Sequence, residues 1–354
     1  MSINLTGKQI TLERTILHNF PPTVLHAENL DHVDTFKALK AGELVLEKSQ
    51  VPRIEDACVG ATLVESKQLL RGRKQSIHGV RIAQLVLQTE QHQQMPLLVA
   101  VKPYNQNNPE HCPPGQAADS ITHEWAAIEH LGRLTSDLRL SYAPVGVIRS
   151  AMNDELQLLT LYEHGVQSFD NVFWAKGKTA KETGRPKLIY ALNACFYATG
   201  FLAGAGLSLG DARVKNIAHD TRRSIHFPDV ESLHELERRQ GVISESAANV
   251  RSVDKDIHFL VATLINPEQT TDKMFLKVAQ IMQDEQVIEH ARLQYLYGAK
   301  EGQKRTGFIL PDSLKVTADK LLEVFRYALD VTSASYPKQR ARLKRSSTAT
   351  TSLR

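Results

Sequence analysis

The sequence predicts an α+β protein of two lobes, a small strand-rich lobe with one helix followed by a larger helical lobe. Three observations carry that expectation. Gly79 to Gln88 with Pro96 to Tyr104, and Val145 to Met152 with Leu156 to Glu163, are two pairs of aliphatic and β-branched runs separated by polar turns, the pattern of hairpins. Between the pairs, SITHEWAAIEHLGRL sets Ile121, Trp125, Ile128 and Leu131 at helical spacing, with Gly132 as the expected stop. After the second pair the pattern is mainly helical as far as Ser333. In PDSLKVTADKLLEVFRYAL, for example, Leu314, Ala318, Leu321, Leu322, Phe325 and Leu329 form one apolar stripe behind an expected cap at Asp312 or Ser313.

Each element follows in order along the chain. Residues 1–56 carry scattered apolar side chains and no chemical signal, and are set apart as an N-terminal extension. The strand-rich lobe is expected over 57–165 and the helical lobe over 166–334. Ile189 to Gly210 holds no charge over more than 20 residues, long enough for a membrane span. Its Ala, Gly, Asn, Thr and Ser content makes it weakly apolar, and it runs straight into Asp211, so a helix buried on all sides is the expectation. The final stretch 335–354 has too little apolar content to pack and is expected to be a disordered tail.

Composition bounds the partners. The chain has 354 residues, 42% of them hydrophobic and 23% charged, enough to bury a sizeable core. Its net charge of +4 belongs to the tail, where Lys338, Arg340, Arg342, Lys344, Arg345 and Arg354 stand without an acid. Removing those six from the 43 basic residues leaves 37 against 39 acidic ones. The tail therefore suits a weak anionic partner, nucleic acid or anionic lipid, by charge alone, with a solvated tail as the default. Cys58, Cys112 and Cys195 are few and widely spaced, which suits a reducing compartment, and MSINLTGKQITLERT lacks a signal-peptide pattern; a cytoplasmic location is expected. His111, Cys112 and His123 share a loop region, but their irregular spacing without a paired C-x-x-C is weak for zinc.

Chemistry concentrates in four places. LVAVKPY ends a strand on Lys102, Glu124 lies on the following helix, LGDARVKN spaces Asp211 and Asn216 as D-x-x-x-x-N, and PDVES adds Asp229. That order resembles the protein kinase-like superfamily, over roughly Ala57 to Ile265. The resemblance implies a two-lobed phosphotransferase using ATP and Mg2+, in which Lys102 grips the α- and β-phosphates. Glu124, or alternatively Glu129, holds that lysine. Asp211 orients and deprotonates the acceptor hydroxyl, and Arg213 offsets charge near the γ-phosphate. Asn216 and Asp229 supply oxygen ligands to the metal. Glu163 and His164, in LTLYEHG, are assigned to the hinge that meets adenine, and Gly79 to a degenerate phosphate-covering loop in which Gly72 is the only other glycine.

The departures narrow the type. Leu209 replaces the histidine usual two residues before the catalytic aspartate, and Asp229 sits in PDVES rather than D-F-G. These features are more similar to aminoglycoside phosphotransferases and other atypical kinases, where Glu231 would assist the metal site. An aspartate in DKDIHFL would brace the catalytic loop, and no A-P-E activation segment is present. The expected activity is transfer of the γ-phosphate to a hydroxyl of a protein or small molecule. The alternatives are a pseudokinase scaffold, and a nucleic-acid-binding protein acting through its tail.

Overall fold

The computed structural model describes residues 5–8, 58–66, 81–89, 94–104, 144–149, 156–161, 166–219 and 225–336, together with His123, Glu124, Ala127, His130, Leu131 and Leu134. The protein is a mixed α+β chain that divides into two compact units, Met1–Arg133 with Ser141–His164, and Leu134–Leu140 with Gly165–Arg354.

The first unit is built on an antiparallel six-stranded sheet: β1 (Leu5–Lys8), β2 (Cys58–Ser66), β3 (Arg81–Thr89), β4 (Gln94–Tyr104), β5 (Pro144–Arg149) and β6 (Leu156–Leu161), in the order β1-β2-β3-β4-β6-β5. Hairpin pairing sets the register: Leu85 lies opposite Leu97, and Val147 opposite Leu158. β6 then inserts beside β4, placing Lys102 opposite Leu158. Both Val101 and Lys102 are buried, so β4 is covered on each face, as its unbroken aliphatic run requires. The stretch 1–56, set apart from the sequence as an extension, contributes a strand, because Leu5 to Lys8 pairs with Leu63 to Ser66 along the sheet edge. The residues described between β4 and β5 are helical, and Leu134 is helical too, beyond the Gly132 expected to end that helix.

The second unit packs five long helices: α1 (Arg185–Gly204), α2 (Ala247–Ala262), α3 (Asp272–Met282), α4 (Glu285–Thr306) and α5 (Ala318–Ser333). Local chemistry sets their ends. Ser246, Thr271, Asp284 and Thr317 each accept a backbone N–H of the first turn, and Gly307 closes α4 in the left-handed region at φ 73°. The Asp312 or Ser313 cap expected for the last helix is corrected: those residues open a 3-10 turn, Asp312–Leu314, and Thr317 begins the helix. Leu321, Val324, Phe325, Ala328 and Leu329 form the buried stripe, while Ala318 is exposed.

The uncharged run splits in two. Its first part lies within α1, a helix that buries Leu188, Ala191, Leu192, Cys195 and Phe196 and every residue from Ala198 to Gly204. The second part leaves the helix at Gly204 and forms the short strand β8 (Leu207–Ser208). Among the described residues no helix is long and apolar enough to cross a membrane. Burial on nearly all sides explains the missing charge, and close helix approach explains the glycines. A Cβ on Gly200 would lie 2.0 Å from the Tyr295 carbonyl oxygen, and one on Gly204 1.9 Å from that of Ala299. Those on Gly298 and Gly302 would lie 2.1 Å and 2.2 Å from the oxygens of Tyr197 and Phe201. Phe196 extends the contact by stacking on Phe325 of α5 at 5.9 Å.

The boundary of the basic tail also moves. Tyr336 falls within the stretch expected to be a disordered tail, yet it is buried, stacks on Phe275 at 4.2 Å and donates its hydroxyl to the carbonyls of Thr270 (2.9 Å) and Pro267 (3.2 Å). One aromatic ring with a satisfied hydroxyl is enough to anchor the chain end. Residues 337–354 lie outside the described residues.

Gly200→Ala is expected to destabilise the protein by roughly 2–4 kcal/mol, since backbone must move on both helices. Gly184→Ala, whose Cβ would meet only Pro186 Cδ at an ordinary 3.6 Å, should change little. Urea denaturation of the two variants checks this, and equal midpoints would contradict the contact.

Candidate functional site

The first unit holds a buried ion pair. Lys102 ends the aliphatic part of β4 and is 8% exposed; Glu124, on the helical segment, is 3% exposed. The ammonium donates to both carboxylate oxygens, at 2.9 Å and 3.2 Å. Tyr104, two residues along the strand and so on the same side as Lys102, donates its hydroxyl to Glu124 Oε2, and its ring centroid lies 5.6 Å from the lysine Nζ. Desolvating two charges is costly, and only close geometry with added hydrogen bonds offsets it. The structure brings Lys102 together with Glu124. The alternative Glu129, along with Gly72, Gly79, Glu163, His164, His111 and Cys112, lies outside the described residues.

The second unit holds the loop that follows α1. Gly206 (φ 76°) and Gly210 (φ 72°) adopt backbone that other residues rarely take, and a Cβ on Gly210 would sit 2.5 Å from the Ser232 carbonyl oxygen. Between them β8 pairs antiparallel with β11 (His234–Glu235), so the chain after Asp229 folds back along the strand that leads to Asp211. A 3-10 turn, Val214–Asn216, follows, then β9 (Ala218–His219) and β10 (Ile225–His226). β9 lies between β10 and β7 (Gln167–Ser168).

Side chains lock this loop from several directions. Asn216, 3% exposed, reaches back over the turn and donates its amide to the Asp211 carbonyl (2.9 Å) and to Asp211 Oδ2 (3.0 Å). Ser168 donates to the carbonyls of Lys215 (2.8 Å) and Val214 (3.2 Å), and the Val214 N–H donates to Thr263 Oγ1 (3.1 Å). From α2, buried Asp256 accepts the Ser208 hydroxyl (2.8 Å) and the Leu209 N–H (2.9 Å). Asp256 is therefore the aspartate of DKDIHFL that holds the loop. Burial pushes its carboxyl up to about 6, and the hydrogen bonds from Ser208, Leu209 and Gly210 only partly offset that. Its other oxygen, Oδ1, has no hydrogen-bond partner among the described residues.

No family model matches the chain, and no curated protein matches it.

Asp211 and Arg213 are brought together. Arg213 Nε lies 2.7 Å from Asp211 Oδ1, and its guanidinium sits 5.5 Å above the Phe259 ring. The arginine expected beside a phosphate rests on the loop carboxylate here. Asp229 and Glu231 are both half-buried, in the segment that Gly210 lets pass close at Ser232. Among the described residues no three His, Cys, Asp or Glu side chains gather as a metal site. Magnesium differs from zinc in this respect: it keeps waters and takes one or two carboxylates plus substrate phosphates, so the oxygen donors of Asn216 and Asp229 are a donor set of the right kind.

Sequence reasoning missed Tyr104, Ser168, Ser208, Thr263 and Phe259. Only Tyr104 left a signal, its two-residue offset from Lys102 on one strand; the others act across 46 to 49 residues of sequence or through a ring contact.

The Asp256 environment sets a pH dependence. Because its folded value, about 6, lies above the ordinary 3.8, the native state holds the proton longer. This contribution to stability is complete below about pH 4 and is lost as pH rises through 6, a change on the order of 3 kcal/mol. Asp256→Asn should flatten the stability profile between pH 4 and 7 relative to wild type. Identical pH profiles of chemical denaturation for the two would contradict this.

Proposed function

We propose that the protein is an ATP-dependent phosphotransferase of atypical kinase type, with a two-lobed kinase-like fold, transferring the γ-phosphate to a hydroxyl. The observation that carries this reading is the Asp211 loop. A carboxylate is held by Asn216 within one turn of backbone, and that turn is anchored from beneath by Asp256 and from the side by Ser168 and Thr263. Such preorganisation suits a group that must align an acceptor hydroxyl, since phosphoryl transfer asks for positioning and charge rather than covalent chemistry. The buried Lys102–Glu124 pair supports the same reading, because a lysine held in place by a carboxylate presents a fixed positive charge to phosphate oxygens.

In this mechanism Asp211 takes the hydroxyl proton on a carboxylate oxygen as the acceptor oxygen bonds to the γ-phosphorus and the bond from that phosphorus to the β–γ bridging oxygen breaks, releasing ADP. Arg213 releases Asp211 and turns its charge toward the transferring group. Lys102, kept in place by Glu124 and Tyr104, binds the α- and β-phosphates. Asn216 and Asp229, with Glu231 assisting, would hold magnesium, which supplies positive charge to the phosphates. The second reading, a pseudokinase that binds nucleotide without transferring phosphate, is favoured by one observation, the Arg213 guanidinium seated on Asp211.

Two measurements decide. ATP with Mg2+ at about 100 times Kd should stabilise the wild type by about 3 kcal/mol, and Lys102→Met and Asp229→Ala should each remove most of that shift; a wild type that gains nothing at millimolar nucleotide overturns the reading. Asp211→Asn should keep the nucleotide-induced shift while phosphate transfer, including slow ATP hydrolysis, falls by about 10²–10⁴-fold. If the wild type binds nucleotide but transfers no more than Asp211→Asn, the pseudokinase reading replaces this one.

A further inference from the structure

We propose that the outward face of α2 binds an acidic polypeptide, and that the acceptor hydroxyl belongs to such a peptide. This rests on the phosphotransferase reading for its catalytic part only. Arg251, Lys255 and Phe259 follow one another at four-residue spacing, so they share one face of the helix. Arg251 and Lys255 are exposed and have no ion-pair partner among the described residues. Phe259 is half-exposed and carries two cations, with Lys255 Nζ 5.3 Å and the Arg213 guanidinium 5.5 Å from its ring centroid. Arg213 in turn touches Asp211 at 2.7 Å, so the row of positive charge ends at the candidate catalytic carboxylate.

The acids of the same helix do not cancel this row. Asp256 is buried beneath it on the Ser208 and Leu209 donors, and Asp254 is paired with Lys320 of α5. The face is thus cationic with an aromatic step, which selects against a basic acceptor and favours an anionic one. Spacing favours a peptide over a single small anion. Eight residues of helix span about 12 Å, with cations about 6 Å apart. Alternate side chains of an extended peptide lie about 7 Å apart, so successive acidic side chains on one edge can meet Arg251 and Lys255 in turn. An aliphatic or aromatic residue between the acids and the acceptor would lie over Phe259.

The test is fluorescence anisotropy of a short labelled peptide of alternating glutamate and serine, measured without nucleotide, beside a lysine and serine peptide of equal length. The acidic peptide should bind the wild type and the basic one should not. The Arg251→Glu, Lys255→Glu double variant, with both sites exposed and a wild-type melting temperature expected, should weaken binding on the order of tenfold, with a shallower salt dependence. Lys255→Ala alone gives a milder second reading of the same face. Equal binding of the two peptides, no binding at millimolar concentration, or an unaffected double variant overturns the proposal. Phosphoserine competing as strongly as the peptide overturns it too, in favour of a small anionic acceptor. Because the readout needs no ATP, failure of the phosphotransferase reading shows separately, as peptide binding that persists without phosphate transfer.

Discussion

The contact between α1 and α4 is the constraint on which the second unit depends. Four glycines, Gly200 and Gly204 on one helix and Gly298 and Gly302 on the other, bring backbone to backbone at distances no Cβ tolerates. Approach this close excludes side chains from the seam and gives dense dispersion contact along it. It also leaves no room for a charge along the packed part of α1, and its two charges, Arg185 and Lys187, stand in the exposed first turn before the run from Ile189. The end of that helix is then a fixed point, and the chain leaving it through Gly206, β8 and Gly210 delivers Asp211 from a rigid base.

From that base, the polar groups are arranged by burial rather than by surface attraction. Asp256 sits inside the helical unit with its charge opposed by low dielectric, compensated by a hydroxyl and backbone N–H donors. Replacing it by alanine would strand the Ser208 hydroxyl and the Leu209 N–H, each a penalty of roughly 1–3 kcal/mol. The Lys102 and Glu124 pair in the first unit follows the same logic with two full charges and the Tyr104 hydroxyl. Buried ionic groups of this kind are weak contributors to net stability compared with apolar packing. What they supply in both units is a fixed orientation of side chains rather than net stability.

The charge around Asp211 is distributed unevenly, and that unevenness has consequences for what can approach. Arg213 meets both partners at once, its Nε at the Asp211 carboxylate and its guanidinium over the face of Phe259. A planar guanidinium tolerates both, since it pairs with carboxylate edge-on and stacks on an aromatic face. Lys255 on the same ring adds a second positive charge to this neighbourhood.

Much of the local structure was legible in the sequence. Alternating and unbroken aliphatic runs determined the two hairpins, helical spacing the last helix, and the lack of charge the buried α1, because period and polarity are properties of neighbouring residues. The spacing of Asp211 and Asn216 likewise encodes their hydrogen bond, which closes over a single turn. The pairing of Lys102 with Glu124 was suggested by the helix face, but it is the packing of strand and helix that makes it. What only the tertiary structure decided comes from residues far apart in the chain: the Leu5–Lys8 edge strand, Tyr336 on Phe275, the Arg213 ion pair beside Phe259, and Asp256 beneath Leu209. Thr317 displaced Asp312 and Ser313 as the cap because Leu314 is spent on a buried 3-10 turn before the helix begins. A local pattern states what a residue can do, and the burial that selects among those possibilities exists only once distant segments meet.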